Sequence, residues 1–215
     1  PNGLSTPSVV DVDGDSIVDT IYAGDLFGNL WKIDISSNNT SQWKFAYKSG
    51  SNPLPIYTAC AAAICTSSNT QPITTQVQVV RHPLHSGYLI LFGTGQYFEI
   101  GDNSSTSQLT QTVYAIWDKE EASLTSIDRD NLLQQEIIKE VTDFGYDLRI
   151  STENAISWST QSGWYMDLIN TESGNTNNYG ERQVSNMIVR NGRLIFTTLV
   201  PSDDPCDFGG SGWLM

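Results

Sequence analysis

The residues with the clearest chemical potential lie near the amino end, in Asp11-Val12-Asp13-Gly14-Asp15-Ser16-Ile17-Val18-Asp19. Carboxylates at alternate positions of an extended loop repel one another, and a hard divalent cation reverses that sign. Calcium takes oxygen ligands at loop positions 1, 3, 5, 7 and 9, the seventh through its backbone carbonyl. The spacing therefore assigns Asp11, Asp13, Asp15 and Asp19 as side-chain ligands of Ca²⁺ and Ile17 as a carbonyl ligand. Mg²⁺ fits less well, because it keeps its waters and rarely uses an all-protein cage. The bland alternative is an acidic turn that holds no ion and only solubilises. An EF-hand would carry Gly at position 6 and a bidentate Glu at position 12. Those places hold Ser16 and Tyr22. The flanks Ser8-Val9-Val10 and Ile21-Tyr22-Ala23 are β-branched and aromatic, so the loop is expected to staple two strands. Without the Glu, affinity should fall on the order of 10⁻⁶ to 10⁻³ M.

Catalytic constellations fare worse, and no enzyme is expected. His82 and His85 form an H-x-x-H without the Glu and further ligand of a metalloprotease, so they read as loop-packing histidines. Gly209-Gly210-Ser211-Gly212 lacks the last glycine of a nucleophile elbow, Trp213 standing there, and reads as a tight turn before a final strand. Asp118-Lys119-Glu120-Glu121 reads as a solvated turn. Trp31, Trp117, Trp164 and Trp213 lie in or beside expected strands, which favours packing between sheets over glycan stacking. Trp43 and Trp158, in more polar surroundings, are weaker candidates for either role.

The elements that must position these groups are strands. Tyr22 to Asp34 reads as two strands around a Gly-Asn turn, and Thr112 to Asp118 as an aromatic strand. Leu89 to Phe92 and Gln96 to Ile100 read as a pair across Gly93-Thr94-Gly95. Glu136 to Thr142 and Tyr146 to Ser151 form a hairpin around Gly145, and Gly163 to Leu168 is a short strand. Asn191-Gly192 between Val184–Arg190 and Arg193–Val200 is the strongest hairpin signal. Only Asp130 to Gln135 looks helical. The stretches 36–43, 66–71, 102–111 and 171–179 read as exposed loops. Three segments end an aromatic strand on an acid: Trp31 to Asp34, Trp117-Asp118 and Trp164 to Asp167. The reading is all-β: a partial, modified β-propeller of antiparallel blades with long loops, a single β-sandwich being the alternative. At roughly 40 to 50 residues per blade, the chain supplies at most about four or five.

The chain has 215 residues and a formal net charge of −13. An acidic surface argues against nucleic-acid partners and against anionic lipid. No apolar run approaches the roughly 20 residues of a transmembrane helix. The abrupt ends are those expected of a segment excised from a larger protein, residues 1–215 forming one piece of a propeller. Cys60 and Cys65, five apart beside a polar loop, suit a local disulfide in an oxidising compartment. Cys206 is either free or paired outside the segment.

Gly24-Asp25-Leu26-Phe27-Gly28-Asn29-Leu30-Trp31-Lys32-Ile33-Asp34, taken with the aspartate loop, resembles the C-terminal propeller of PilY-type proteins of bacterial type IV pili. Arg81-His82-Pro83 leading to Leu91 through Glu99, then Thr112 through Asp118, then Phe196 through Met215 with its Pro205-Cys206 motif, follow in order. The resemblance implies a calcium-binding pilus component whose occupancy biases extension against retraction, and with it twitching motility and surface adhesion. It assigns the same ligands: Asp11, Asp13, Asp15, Ile17 and Asp19. It implies partners among type IV pilus components, the minor pilins and the tip complex, with host or abiotic surfaces met through regions outside this segment. It also implies an extracytoplasmic place: pilus tip, cell surface, or outer membrane and periplasm of a Gram-negative bacterium. A quinoprotein-like dehydrogenase propeller is the rival, because Gly-Asp-x-x-Gly-Asn-Leu-Trp also resembles the blade-docking turn of those enzymes. A structural scaffold whose calcium only stabilises is the second.

Overall fold

A computed structural model describes residues 2–105, 108–123, 127–175, 178–204, 206 and 209–215. Alternating apolar runs near the amino end build the first sheet. Strands β1 (Ser8–Val10), β2 (Thr20–Gly24), β3 (Asn29–Asp34) and β4 (Lys44–Phe45) follow one another in antiparallel order. A two-strand ribbon, β5 (Lys48–Ser49) and β6 (Asn52–Pro53), leads to β7 (Tyr57–Thr58), which also pairs with β3.

The second sheet contains β8 (Gln78–Arg81), β9 (Tyr88–Gly93), β10 (Thr112–Asp118), β11 (Leu133–Asp143), β12 (Tyr146–Ser151) and β13 (Gly163–Asn170). Its spatial order is β12-β11-β13-β10-β9-β8. All seven residues of β10 are buried, as befits a central strand covered on both faces. Tyr114 and Ile116 join Tyr22, Leu30, Ile73, Ile90 and Phe92 in the core between the two sheets. Val113, on the other face, packs with Ile137, Met166, Leu168, Met187 and Phe196. The carboxyl-terminal part adds the hairpin β14 (Ile188–Arg190) and β15 (Arg193–Ile195), then β16 (Val200–Pro201) and β17 (Gly210–Ser211). This is the all-β, modified-propeller architecture expected from the strand signals. Cys60 and Cys65 form a disulfide, and Cys206 is free.

Several expectations are corrected. Residues 130–135 are not a continuous helix: a 3₁₀ helix over Arg129–Asn131 gives way after Leu132 to β11, which pairs in parallel with β13. A distant partner strand thus overrides a weak local helical preference. Residues 96–100 are no strand either. The Asp102 carboxylate accepts the N–H groups of Phe98 and Glu99 and curls the segment, so β9 pairs with β8 and β10 instead. The Gly209–Gly212 stretch bends at Gly209, at φ 83°, but is already paired strand from Gly210. Gly210–Ser211 pairs with β16, and Trp213 and Met215 continue the pairing to Thr198 and Phe196. The Asn191-Gly192 hairpin is present but shorter than its apolar flanks. Positions 205, 207 and 208 of the last motif, and parts of the stretches 102–111 and 171–179, lie outside the described residues.

Asp118 is no solvated turn residue. It is 3% exposed and meets Lys32 Nζ at 2.7 Å. Tyr22 Oη donates to it at 2.7 Å and Tyr47 Oη at 3.4 Å. This cluster ties the first sheet to β10. Burial, then the Asp118 charge, pushes the Tyr22 phenol far above its ordinary pKa, so it stays a neutral donor. The other strand-ending acids also find cations: Asp34 meets Lys44 and Asp167 meets Arg129. Arg129 also donates to Tyr114 Oη, whose pKa burial pushes up to about 12.

Candidate metal centre

The aspartate loop leaves β1 and re-enters at β2, where Val10 pairs with Thr20. Its base is closed twice. Asp19 N–H donates to Val10 O at 2.9 Å, and Val12 N–H donates to the Asp19 carboxylate at 2.8 Å. Arg81 of β8 donates to Val12 O at 3.2 Å, linking the loop to the second sheet. Within the loop the backbone turns through positive φ at Gly14 (85°) and Ser16 (73°). These bends fold the chain back, so alternate carboxylates meet on one side. One oxygen each from Asp11, Asp13 and Asp15 lies within 4.8 Å of the others. Asp11 is half-buried, while Asp13 and Asp15 are exposed.

Each of these carboxylates is held by the loop's own backbone. Asp11 accepts Gly14 N–H at 2.6 Å and Ser16 N–H at 2.7 Å. Asp13 Oδ1 accepts Asp15 N–H at 3.1 Å, and Asp15 Oδ1 accepts Ile17 N–H at 2.7 Å. A hard cation needs oxygen donors converging on one point, and the trio offers that chemistry. Of the five residues the spacing selected, Asp11, Asp13 and Asp15 converge. Asp19 stands outside the trio and closes the loop's base, and the Ile17 side chain faces water.

The following turn contains an aspartate whose part the sequence reading missed. Asp25 is fully buried. Its Oδ1 accepts the N–H groups of Phe27 and Asn29, each at 2.9 Å. Its Oδ2 accepts Asn2 Nδ2 at 2.7 Å, Asn29 Nδ2 at 3.0 Å and Trp31 Nε1 at 2.7 Å. Gly28, at φ 81°, allows the close approach of Ala59 O and Gln71 O, each 2.7 Å from where a Cβ would stand. Gly-Asp-x-x-Gly-Asn-Leu-Trp is thus one hydrogen-bonded unit. The signal for Asp25 was present, since all its side-chain partners but Asn2 lie inside that motif.

The histidine pair is a packing cluster. His82 Nδ1 accepts the N–H groups of Leu84 and His85, and its ring lies 4.3 Å from Trp158 and 4.7 Å from Trp117. The other tryptophans are also engaged. Trp213 stacks under Arg149 at 4.1 Å, and Trp43 Nε1 donates to Ser37 O.

The family model of the PilY1 beta-propeller domain matches residues 1–147. The chain belongs to the PilY1 family. It is 32% identical over 240 residues to the type IV pilus biogenesis factor PilY1 of Pseudomonas aeruginosa strain PAO1, covering 99% of this chain and 20% of that protein. It is 37% identical over 215 residues to a PilY1 homologue of Xylella fastidiosa strain Temecula1, covering 99% of this chain and 14% of that one. The crystal structure of the P. aeruginosa PilY1 C-terminal domain superposes with a TM-score of 0.80 at 31% identity, over 100% of this chain and 46% of that one. The chain therefore spans about a fifth or less of its curated PilY1 relatives. Among the described residues no helix is long and apolar enough to cross a membrane.

Proposed function

We propose that this chain is a calcium-responsive propeller segment of a type IV pilus biogenesis factor, acting without catalysis at the cell surface or pilus tip. The observation that carries the reading is the convergence of the Asp11, Asp13 and Asp15 carboxylates on one side of a loop tied into both sheets. These three residues would hold Ca²⁺, with Ile17 contributing its carbonyl and Asp19 holding the loop's closure or joining the shell. The ion supplies positive charge where the loop's own N–H groups relieve only part of the repulsion.

Magnitudes decide what ion removal does. Two unit charges about 5 Å apart repel by roughly 1 kcal/mol in water and 3 kcal/mol at an effective dielectric near 20. Asp13 and Asp15 are exposed, so the lower figure governs, and backbone N–H groups relieve part of it. The ion-free loop therefore rearranges rather than unfolding the domain. Its rearrangement reaches β8 through the Arg81 contact to Val12 and alters the surface offered to pilus partners, the minor pilins and the tip complex. By this reading occupancy biases pilus extension against retraction and so affects twitching and attachment. The test is surface piliation and twitching of cells carrying Asp13→Ala in the full protein, with and without calcium. The expected result is a phenotype that calcium no longer modulates, at unchanged protein abundance. Wild-type calcium responsiveness in that strain would overturn the proposal.

A further inference from the structure

Strand β12 ends the six-stranded sheet, and no described residue pairs with its outer side. The far end is different, since β1 and its loop lie against β8. The turn before β12 is a two-residue loop, with φ of 51° at Phe144 and 80° at Gly145, the primed geometry that tight hairpins favour. In such a hairpin the flanking pair, Asp143 and Tyr146, exchanges both backbone hydrogen bonds. Alternate residues Asp147, Arg149 and Ser151 therefore turn their N–H and C=O groups outward.

The side chains alternate as well. Tyr146, Leu148 and Ile150 are 71%, 45% and 45% exposed and share one face, with Phe144 90% exposed at the tip. The charged residues lie on the other face, where Arg149 meets Glu140 and Glu181 and Asp147 accepts from Thr142. Natural edges are usually blunted by proline, inward charge or a covering segment. β12 has no proline; its inward charge, Arg149, is already matched by Glu140 and Glu181, and among the described residues its outer backbone edge is left unpaired.

Read in either direction, Tyr-Asp-Leu-Arg-Ile has the same pattern of apolar residues with charges of opposite sign. We propose that β12 is an isologous contact: a second copy of this chain adds its own β12, antiparallel, about a two-fold axis at Leu148. Tyr146 then faces Ile150, Asp147 faces Arg149, and Leu148 faces Leu148. The outward N–H and C=O groups of Asp147 and Arg149 are taken up by the partner copy. Parallel in-register addition would instead set Asp147 against Asp147, which is unfavourable. The contact is smaller than the roughly 1,200 Å² of a standard stable interface, so it is weak. Each copy carries a net charge of −13, so association strengthens as salt screens that repulsion. The proposal is independent of calcium.

Sedimentation equilibrium on the chain with Cys206→Ser, from about 10 to 300 µM in moderate salt, tests it; the range suits a weak interface. The expected result is a reversible monomer–dimer equilibrium. Leu148→Lys and Ile150→Lys, both at exposed positions, should each weaken it by about tenfold or more without altering the circular dichroism, since the first sets like charges against each other across the axis and the second sets a charge against Tyr146 of the other copy. In the same background Leu148→Cys should cross-link to itself on oxidation. Tyr146→Cys should not, but should cross-link to Ile150→Cys. A monomer throughout that range, a dimer indifferent to both lysine variants, or self-linking of Tyr146→Cys as readily as Leu148→Cys would each overturn the proposal.

Discussion

Asp25 is fully buried and collects five donors, whereas the carboxylates of Asp11, Asp13 and Asp15, slightly upstream, take only N–H groups of their own loop and largely face water. Both regions are aspartate-bearing turns between adjacent strands. At Asp25 one carboxylate organises groups from Asn2 to Trp31, so its acceptor capacity is spent on the fold. In the loop above it three carboxylates organise little beyond themselves and point at a shared space. The difference lies in who donates. A buried carboxylate whose oxygens are taken up by side chains and N–H groups around it locks a turn, and carboxylates that converge on one another are open to an ion.

Substitution at Asp25 separates the two regions most strongly. Asp25→Ala strands buried donors and should destabilise the domain by roughly 3 to 5 kcal/mol, read from the urea midpoint. A loss below about 1 kcal/mol would remove the distinction, since surface changes cost that little. Calcium comes next. At a hundredfold excess over its dissociation constant, Ca²⁺ should stabilise the wild type by about 2.7 kcal/mol. Chelation should reverse this, and Asp13→Ala should abolish it in thermal melts. Without calcium the loop variants should be mild. Asp11→Ala gives up two N–H acceptors and should cost about 1 kcal/mol, and Asp13→Ala less, by the ordinary scale of exposed hydrogen bonds.

The smallest effect lies outside both regions and calibrates them. Burial, then His85, holds the His82 imidazole below its usual pKa. The unfolded chain then binds more protons than the folded one as pH falls through the ordinary histidine range. That stability is present above the unfolded pKa near 6.5 and drains away as pH falls toward the depressed folded value. His82→Asn should flatten the slope of stability against pH between about 6.5 and 5, leaving calcium binding unchanged.

Much of this was legible in the chain because it depends on local pattern. The seven residues of β10 read as a strand, the Gly145 and Asn191-Gly192 hairpins announced themselves, and the aspartate spacing singled out the loop. The failures share one cause. The helical reading of residues 130–135 fails from Leu133 onward because β13, far along the chain, supplies a parallel partner. Asp118 is buried because Lys32 and Tyr22 arrive from another sheet and Tyr47 from the segment after β4. Residues 96–100 curl around Asp102, a competition between a side chain and a ladder that alternation of residue types does not register. Asp25 was visible as part of a motif, but its role depends on burial. At the candidate site, spacing chose five residues, and the fold distinguishes three that converge from one that closes the base.

Titration calorimetry of this chain with Ca²⁺, beside Asp13→Ala, tests the central claim most directly. The account predicts saturable binding near one equivalent, with a dissociation constant on the order of 10⁻⁶ to 10⁻³ M, and its loss in the variant. Heats no greater than dilution for the wild type, or the same isotherm for both proteins, would contradict it.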